Sequence, residues 1–121
     1  MGASDVTGGG ASVDVTALSA GELAERIKAG ELSAQEVIEA YLRRIAEVNP
    51  RLNALVVPRY EEARAEAAAA DAARSRGEAL GPLHGVPITI KEQYLVAGTA
   101  STIGLPGRVG HRAAADGPLV G

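Results

Sequence analysis

The 121-residue sequence predicts an α/β fold, with helices in its first part and the first strands of a sheet after them. Two segments start with the same helix-capping pattern, and a third is an alanine-rich stretch of eighteen residues. A fourth segment is dense in β-branched residues and bounded by glycine and proline, which is typical of a buried strand.

Composition and charge narrow the possible classes of function. The net charge is -3 and three tyrosines are the only aromatic residues, so a nucleic-acid-binding module is not expected. The chain has no cysteine, which excludes a disulfide framework and a thiolate metal site. It shows no signal peptide and no run near the roughly 18 apolar residues of a membrane span. We therefore expect a cytoplasmic protein, with a core thinned by the absence of Phe and Trp.

Residues 1–16 are predicted to be a flexible N-terminal tail, because glycine and other small residues dominate there without periodicity. The first helix follows this tail. Ser19 can cap the helix and Glu22 can reach back to it as the third helical residue, while a leucine on each side of this pair can form a hydrophobic staple. Gly30 is expected to end the helix.

The same capping pattern returns fourteen residues later at Ser33 and Glu36, and predicts a second helix that ends at Asn49–Pro50. Its apolar residues recur at helical spacing on one face, with charged residues on the other. We interpret this apolar stripe as core packing, and a partner-binding groove is the alternative. The stripe consists of Val37, Ile38, Tyr41, Leu42, Ile45 and Val48.

After the second helix the sequence predicts a short strand at Leu52–Val57 and then a third helix. Pro58 can be the first residue of that helix, which runs through residues 59–76 and stops at Gly77. Eighteen residues make about 27 Å of helix. Since alanine buries little area, we expect this helix on a surface or close against another helix.

Beyond Gly77, glycine and proline become frequent. Leu83–Lys91 has the β-branched density of a buried strand, and residues 97–121 form an irregular segment of about 25 residues. An irregular segment of that length is typical of a loop that lines a functional site.

Lys91 stands at the end of the second predicted strand and is one of only two lysines, the other being Lys28. In the structural interpretation, a lysine at a strand end reaches solvent or protects a sheet edge. The functional interpretation requires burial, because burial disfavours the charged form of a lysine. A lysine that is neutral near pH 7 can act as a general base.

The segment GPLHGVPITIKE, residues 81–92, resembles the opening motif of the amidase signature family. Val96–Gly104 resembles the loop that follows this motif. Upstream, LSAQEVIEAYLRRIAEVNPRLNALV resembles the N-terminal helices of the family, and HRAAADGPLVG at the end resembles the approach to its next helix. The resemblance covers about residues 17–121, and its four segments occur in the family's order.

The resemblance implies an α/β/α fold with a mixed central sheet, of which residues 17–121 would be the N-terminal part. It implies an amidase that hydrolyses linear amides with a Ser–cis-Ser–Lys triad, and the lysine of the family's motif maps onto Lys91. A small-molecule amide would be the substrate, with no cofactor and no metal ion. Lys91-Glu92 looks closer to fatty-acid-amide-hydrolase-like and general amidases than to the family's amidotransferases, in which Asp more often follows the lysine.

The two serines of the family's triad lie in a Gly/Ser-rich segment downstream of the lysine, and these 121 residues contain no such segment. Only Ser101 lies near Lys91 in the sequence, and its surroundings lack the spacing of a G-x-S-x-G elbow. We expect Ser101 to hydrogen-bond within its loop, with a nucleophilic role as the alternative. The sequence therefore predicts a domain truncated before its catalytic serines, and a chain that is inactive alone.

His84 and His111 are expected to have structural or loop roles, and no carboxylate or histidine pair has metal-ligand spacing. The alternative function is a non-catalytic helical interaction module, or a remnant of an enzyme. The identity of the amide and the oligomeric state are left open.

Overall fold

The structure is a computed structural model that describes residues 13–121. Its helices are α1 (Ala20–Ala29), α2 (Ala34–Leu52) and α3 (Tyr60–Ser75), with short 3₁₀ helices at Val15–Ala17 and Pro106–Arg108. Most of the predicted tail, residues 1–12, lies outside the described residues. No helix among residues 13–121 is both long enough and apolar enough to cross a membrane.

Both predicted helix starts are confirmed, and each has a complete capping box. The backbone N–H of Ser19 donates to the Glu22 carboxylate at 2.9 Å, and Ser33 makes the same bond to Glu36 at 2.8 Å. Each serine hydroxyl in turn accepts the N–H of its glutamate, so the orphan donors at both helix starts find partners. Gly30 ends α1 in the left-handed conformation, at φ 77°, as predicted.

Helix α2 runs past its predicted end at Asn49–Pro50 and stops after Leu52, so that prediction is wrong. Pro50 lies in the last turn, where the missing N–H removes a single helical hydrogen bond. The stop comes from Asn53, which adopts the left-handed conformation at φ 48°. The Asn49 side chain then holds the chain after the helix, because its amide oxygen accepts the Leu55 N–H at 2.9 Å.

The two predicted strands do not form in the described residues. Leu52–Val57 begins inside α2 and continues as irregular chain, and Leu83–Lys91 is irregular and largely exposed, with Ile88 81% accessible. A strand needs a neighbouring strand to pair with its backbone groups. Within residues 13–121 the one such pairing is an isolated antiparallel bridge between Ala100 and Arg112. The α/β class is therefore seen only in its helical part.

The core consists of two small clusters on either face of α2. Leu23 and Ile27 of α1 pack against Val37, and α3 packs against the other side of α2 through Ala67. This confirms that the alanine-rich helix lies close against another helix. The apolar stripe of α2 is buried only at Val37 and Ile38, and its four later members are half-buried.

Residues 77–121 form the irregular segment that the sequence predicts, held by backbone hydrogen bonds across a long loop. The Gly98 N–H donates to the Ala113 carbonyl at 2.8 Å, and the Ala113 N–H donates to the Thr99 carbonyl at 3.0 Å. These bonds bring both ends of the loop together and place residues 98–113 beside the segment that carries Lys91.

Candidate catalytic lysine and its surroundings

Lys91 is exposed, and its side chain forms no ion pair within residues 13–121. Its backbone carbonyl accepts the Tyr94 N–H at 3.0 Å, which fixes a tight turn directly after it. The backbone of Lys91 is thus anchored, while the desolvation that a neutral lysine requires is not supplied by the described residues.

The turn before Lys91, residues 81–85, is fixed to the helices. The His84 ring lies with its Nε2 atom 2.8 Å from the Ala70 carbonyl of α3, which is the structural role expected for His84. Gly85 has φ 77°, and a Cβ atom there would lie 3.1 Å from side-chain atoms of both Ile27 and Ala34. Only glycine fits this contact with α1 and α2 without strain.

Glu92, the neighbour of Lys91, bridges to the loop at residues 101–104. Its carboxylate accepts the backbone N–H of Thr102 and, at 3.0 Å, that of Ile103. These hydrogen bonds, the one from Thr102 first, hold the pKa of Glu92 below its ordinary value because they favour the charged form. The sequence carries no signal for this contact, because a link across ten residues of irregular chain follows no periodic pattern.

Ser101 is 1% exposed, and its hydroxyl has no hydrogen-bond partner within residues 13–121. The expected loop hydrogen bonds are made by its backbone instead: its N–H donates to the His111 carbonyl at 3.3 Å, and its carbonyl accepts from Arg108 Nε at 3.0 Å. No hydrogen bond joins Ser101 to Lys91 in the described chain, so the structure does not bring a nucleophile and a base together.

Two other features of the described residues bear on function. No group of three or more His, Asp or Glu side chains among residues 13–121 could hold a metal ion. An open groove of about 490 Å³ lies between the second half of α2 and the start of α3, lined by Leu42, Ile45 and Tyr60 among others. Arg64 at its edge is already paired with Glu39 at 2.6 Å, so no unpaired charge marks the groove as a site.

A protein-family model described as Amidase matches residues 36–121, which is more than half of the chain. The match includes α2, α3 and the whole segment around Lys91.

Curated relatives include both hydrolases and amidotransferase components. The chain is 47% identical over 102 residues to indoleacetamide hydrolase of Bradyrhizobium diazoefficiens, covering 84% of this chain and 20% of that protein. Over 110 residues it is 44% identical to fatty-acid amide hydrolase 2-B of Danio rerio, covering 85% and 21%. Over 91 residues it is 43% identical to a glutamyl-tRNA(Gln) amidotransferase component of Streptomyces coelicolor, covering 75% and 18%.

One solved structure comes from work on an unexpected vestigial protein complex that reveals the evolutionary origins of an s-triazine catabolic enzyme. It matches this chain with a TM-score of 0.76 at 36% identity, over 82% of this chain and 22% of that one. The chain thus spans about a fifth of the length of the relatives that it matches.

Proposed function

Because the chain belongs to the amidase family, we propose that Lys91 is the lysine of a Ser–cis-Ser–Lys triad that hydrolyses linear amides. The observation that carries the proposal is the position of Lys91. It closes the motif at residues 81–92 inside the matched region, its backbone is anchored, and no carboxylate within residues 13–121 pairs with its amine. A carboxylate partner would favour the charged form, which cannot accept a proton.

The proposed reaction moves one proton along two hydroxyls. Neutral Lys91 takes a proton from the bridging serine, which takes one from the nucleophilic serine, and the nucleophile's oxygen attacks the amide carbonyl carbon. The C–N bond then breaks, an acyl-enzyme ester forms, and the relay returns the proton to the departing amine. Water attacks the ester, releases the acid and restores the serine.

We further propose that these 121 residues by themselves hydrolyse no amide. Ser19 and Ser33 cap helices, the Ser75 hydroxyl donates to a carbonyl of its own helix, and the Ser101 hydroxyl is buried. Lys91 is also exposed, so water stabilises its charged form. Both hydroxyls of the relay, and the cover over the lysine, have to come from other residues.

The test uses a hybrid in which this chain replaces the matching fifth of Bradyrhizobium indoleacetamide hydrolase, with indoleacetamide as substrate. We expect turnover by the hybrid, and a fall in kcat of at least about 1,000-fold on Lys91→Ala. Lys91→Arg should be as damaging, since arginine does not release its proton in proteins. Lys28→Ala, which changes the other lysine, is the matched control and should leave kcat unchanged.

Two results would contradict the proposal. Turnover that survives Lys91→Ala would remove Lys91 from the mechanism, and turnover by the isolated chain would show that the missing hydroxyls are not needed. Circular dichroism establishes that each hybrid is folded. The alanine variant of the aligned lysine in the parent hydrolase answers the same question in the parent protein.

A component of a tRNA-dependent amidotransferase is the second candidate, favoured by the 43% identity to the Streptomyces coelicolor protein. Glu92 after the lysine favours the hydrolases. The two candidates differ in the fate of the amide nitrogen, which is released by a hydrolase and transferred to glutamyl-tRNA(Gln) by an amidotransferase. Following a ¹⁵N-labelled amide in the complete enzyme separates them.

A further inference from the structure

We propose that Glu92 is a positioning residue that holds the backbone of Lys91 in place by clamping the turn at residues 101–104. This inference rests on the proposed role of Lys91. The Glu92 carboxylate accepts the N–H groups of Thr102 and Ile103, and Glu92 is bonded directly to Lys91 through the peptide chain. We call this arrangement the Glu92 clamp.

The clamped turn has an uncommon backbone conformation. Ile103 has φ 53°, in the left-handed region, although it is a β-branched residue, and Gly104 follows with φ 69°. A β-branched residue stays in this region only where its surroundings hold it there. The N–H of Ile103 is one of the two groups that Glu92 binds, so the clamp acts on the strained residue itself.

The far side of the turn is fixed to the rest of the loop. The Ser101 carbonyl accepts from Arg108 Nε at 3.0 Å, and the Ser101 N–H donates to the His111 carbonyl at 3.3 Å. Ser101 itself is buried, so the turn cannot move without opening this packing. The Glu92 clamp therefore connects Lys91 to a fixed support, while the bond from the Tyr94 N–H holds the Lys91 carbonyl on the other side.

A base that must lie within hydrogen-bond reach of a serine hydroxyl needs such a support. Misplacement by about 1 Å can lower a rate by about 100-fold. Because hydrogen bonds favour the charged carboxylate, the clamp is complete above the ordinary pKa of a glutamate and opens as the pH falls through the lowered pKa of Glu92.

The test is NMR spectroscopy on the 121-residue chain, comparing wild type with Glu92→Gln and Glu92→Asp. Glu47→Gln, at an exposed glutamate of α2, is the control. In Glu92→Gln we expect the Thr102 and Ile103 amides to exchange about 10-fold faster or more. We also expect the Lys91 amide order parameter to fall from about 0.85 towards 0.6. Glu92→Asp keeps the charge but is one methylene shorter, so both changes should be intermediate.

The pH dependence provides a second readout. In wild type the Lys91 order parameter should fall as Glu92 becomes protonated, and in Glu92→Gln it should be low and independent of pH in that range. Faster exchange at Thr102 and Ile103 with an unchanged Lys91 would overturn the proposal, because Glu92 would then stabilise only the turn. Equal losses of order in α2 and α3, or the same loss in Glu47→Gln, would overturn it as well.

None of these NMR measurements depends on turnover, so they can fail or succeed separately from the amidase proposal, which Lys91→Ala tests in the hybrid. In that hybrid Glu92→Gln should lower kcat about 10-fold or more with KM unchanged. The pH at which kcat rises should not move, because the clamp fixes the position of Lys91 and not its charge. An unchanged kcat, or a shifted pH profile, would overturn the positioning role.

Discussion

At the scale of single residues, the Asp71 carboxylate joins the second and third helices. It accepts the N–H of Ala34 at 2.8 Å and that of Gln35 at 3.1 Å, which are the first two N–H donors of α2. The capping box of Ser33 leaves these donors free, so Asp71 completes the cap from a different helix. Burial raises the pKa of Asp71, but the hydrogen bonds from Ala34 and Gln35 outweigh burial and hold the pKa below its ordinary value.

Replacing Asp71 by alanine should lower the free energy of unfolding by about 1–2 kcal/mol at pH 7, because two helix-start donors lose their acceptor. The measurement is urea unfolding, with Glu66→Ala as the control on the same helix, where an exposed ion pair contributes less than about 1 kcal/mol. The stabilisation from Asp71 is present above its pKa in the unfolded chain and is lost as the pH falls through its lower folded pKa. Equal losses in both variants would contradict this account.

At the scale of elements, the parts that were predicted correctly are those in which local sequence determines the structure. The capping boxes at Ser19 and Ser33 join residues three positions apart, so the sequence contains all of their partners. Leu83–Lys91 has strand-like composition, but a strand is completed by a neighbour, and residues 13–121 supply none. The extension of α2 past Pro50 was missed because its stop depends on the left-handed conformation of Asn53.

The candidate site divides in the same way. Lys91 could be chosen from its residue type, its position in a family motif and the rarity of lysine in this chain. The contacts of Glu92 with Thr102 and Ile103 could not, because loop geometry and not spacing brings them together. The burial of the Ser101 hydroxyl without a partner in the described chain also follows from tertiary packing alone.

The turn at residues 81–85 provides a test at this scale. Gly85→Ala should destabilise the chain more than Gly77→Ala by about 1–3 kcal/mol in urea unfolding. Both glycines have a positive φ, of 77° and 70°, so the backbone penalty is matched. A Cβ at Gly85 would press on Ile27 and Ala34, whereas one at Gly77 would meet nothing within 4 Å. If both variants lose the same stability, the turn is not packed against α1 and α2 as described.

At the scale of the whole molecule, the described chain has a small core and much exposed apolar surface. Fully buried side chains larger than alanine are few, while Ile88, Val109 and Leu119 are each 78–81% exposed. Such surface is what a matching partner or additional chain would cover. The relatives are about five times longer than the matched part, which agrees with the proposal that other residues complete the site.

The exposed segment that leads to Lys91 gives the last prediction, which concerns self-association of the isolated chain. Ile88 protrudes from an extended stretch whose backbone has no partner strand within residues 13–121, so copies of the chain can pair through it. Ile88→Lys should shift sedimentation velocity profiles towards the monomer, because a charge at an unpaired edge opposes pairing. Ala68→Lys, at an exposed position of α3, adds the same charge elsewhere and should leave association unchanged. A wild-type chain that is already monomeric and melts cooperatively would instead favour a self-sufficient interaction module.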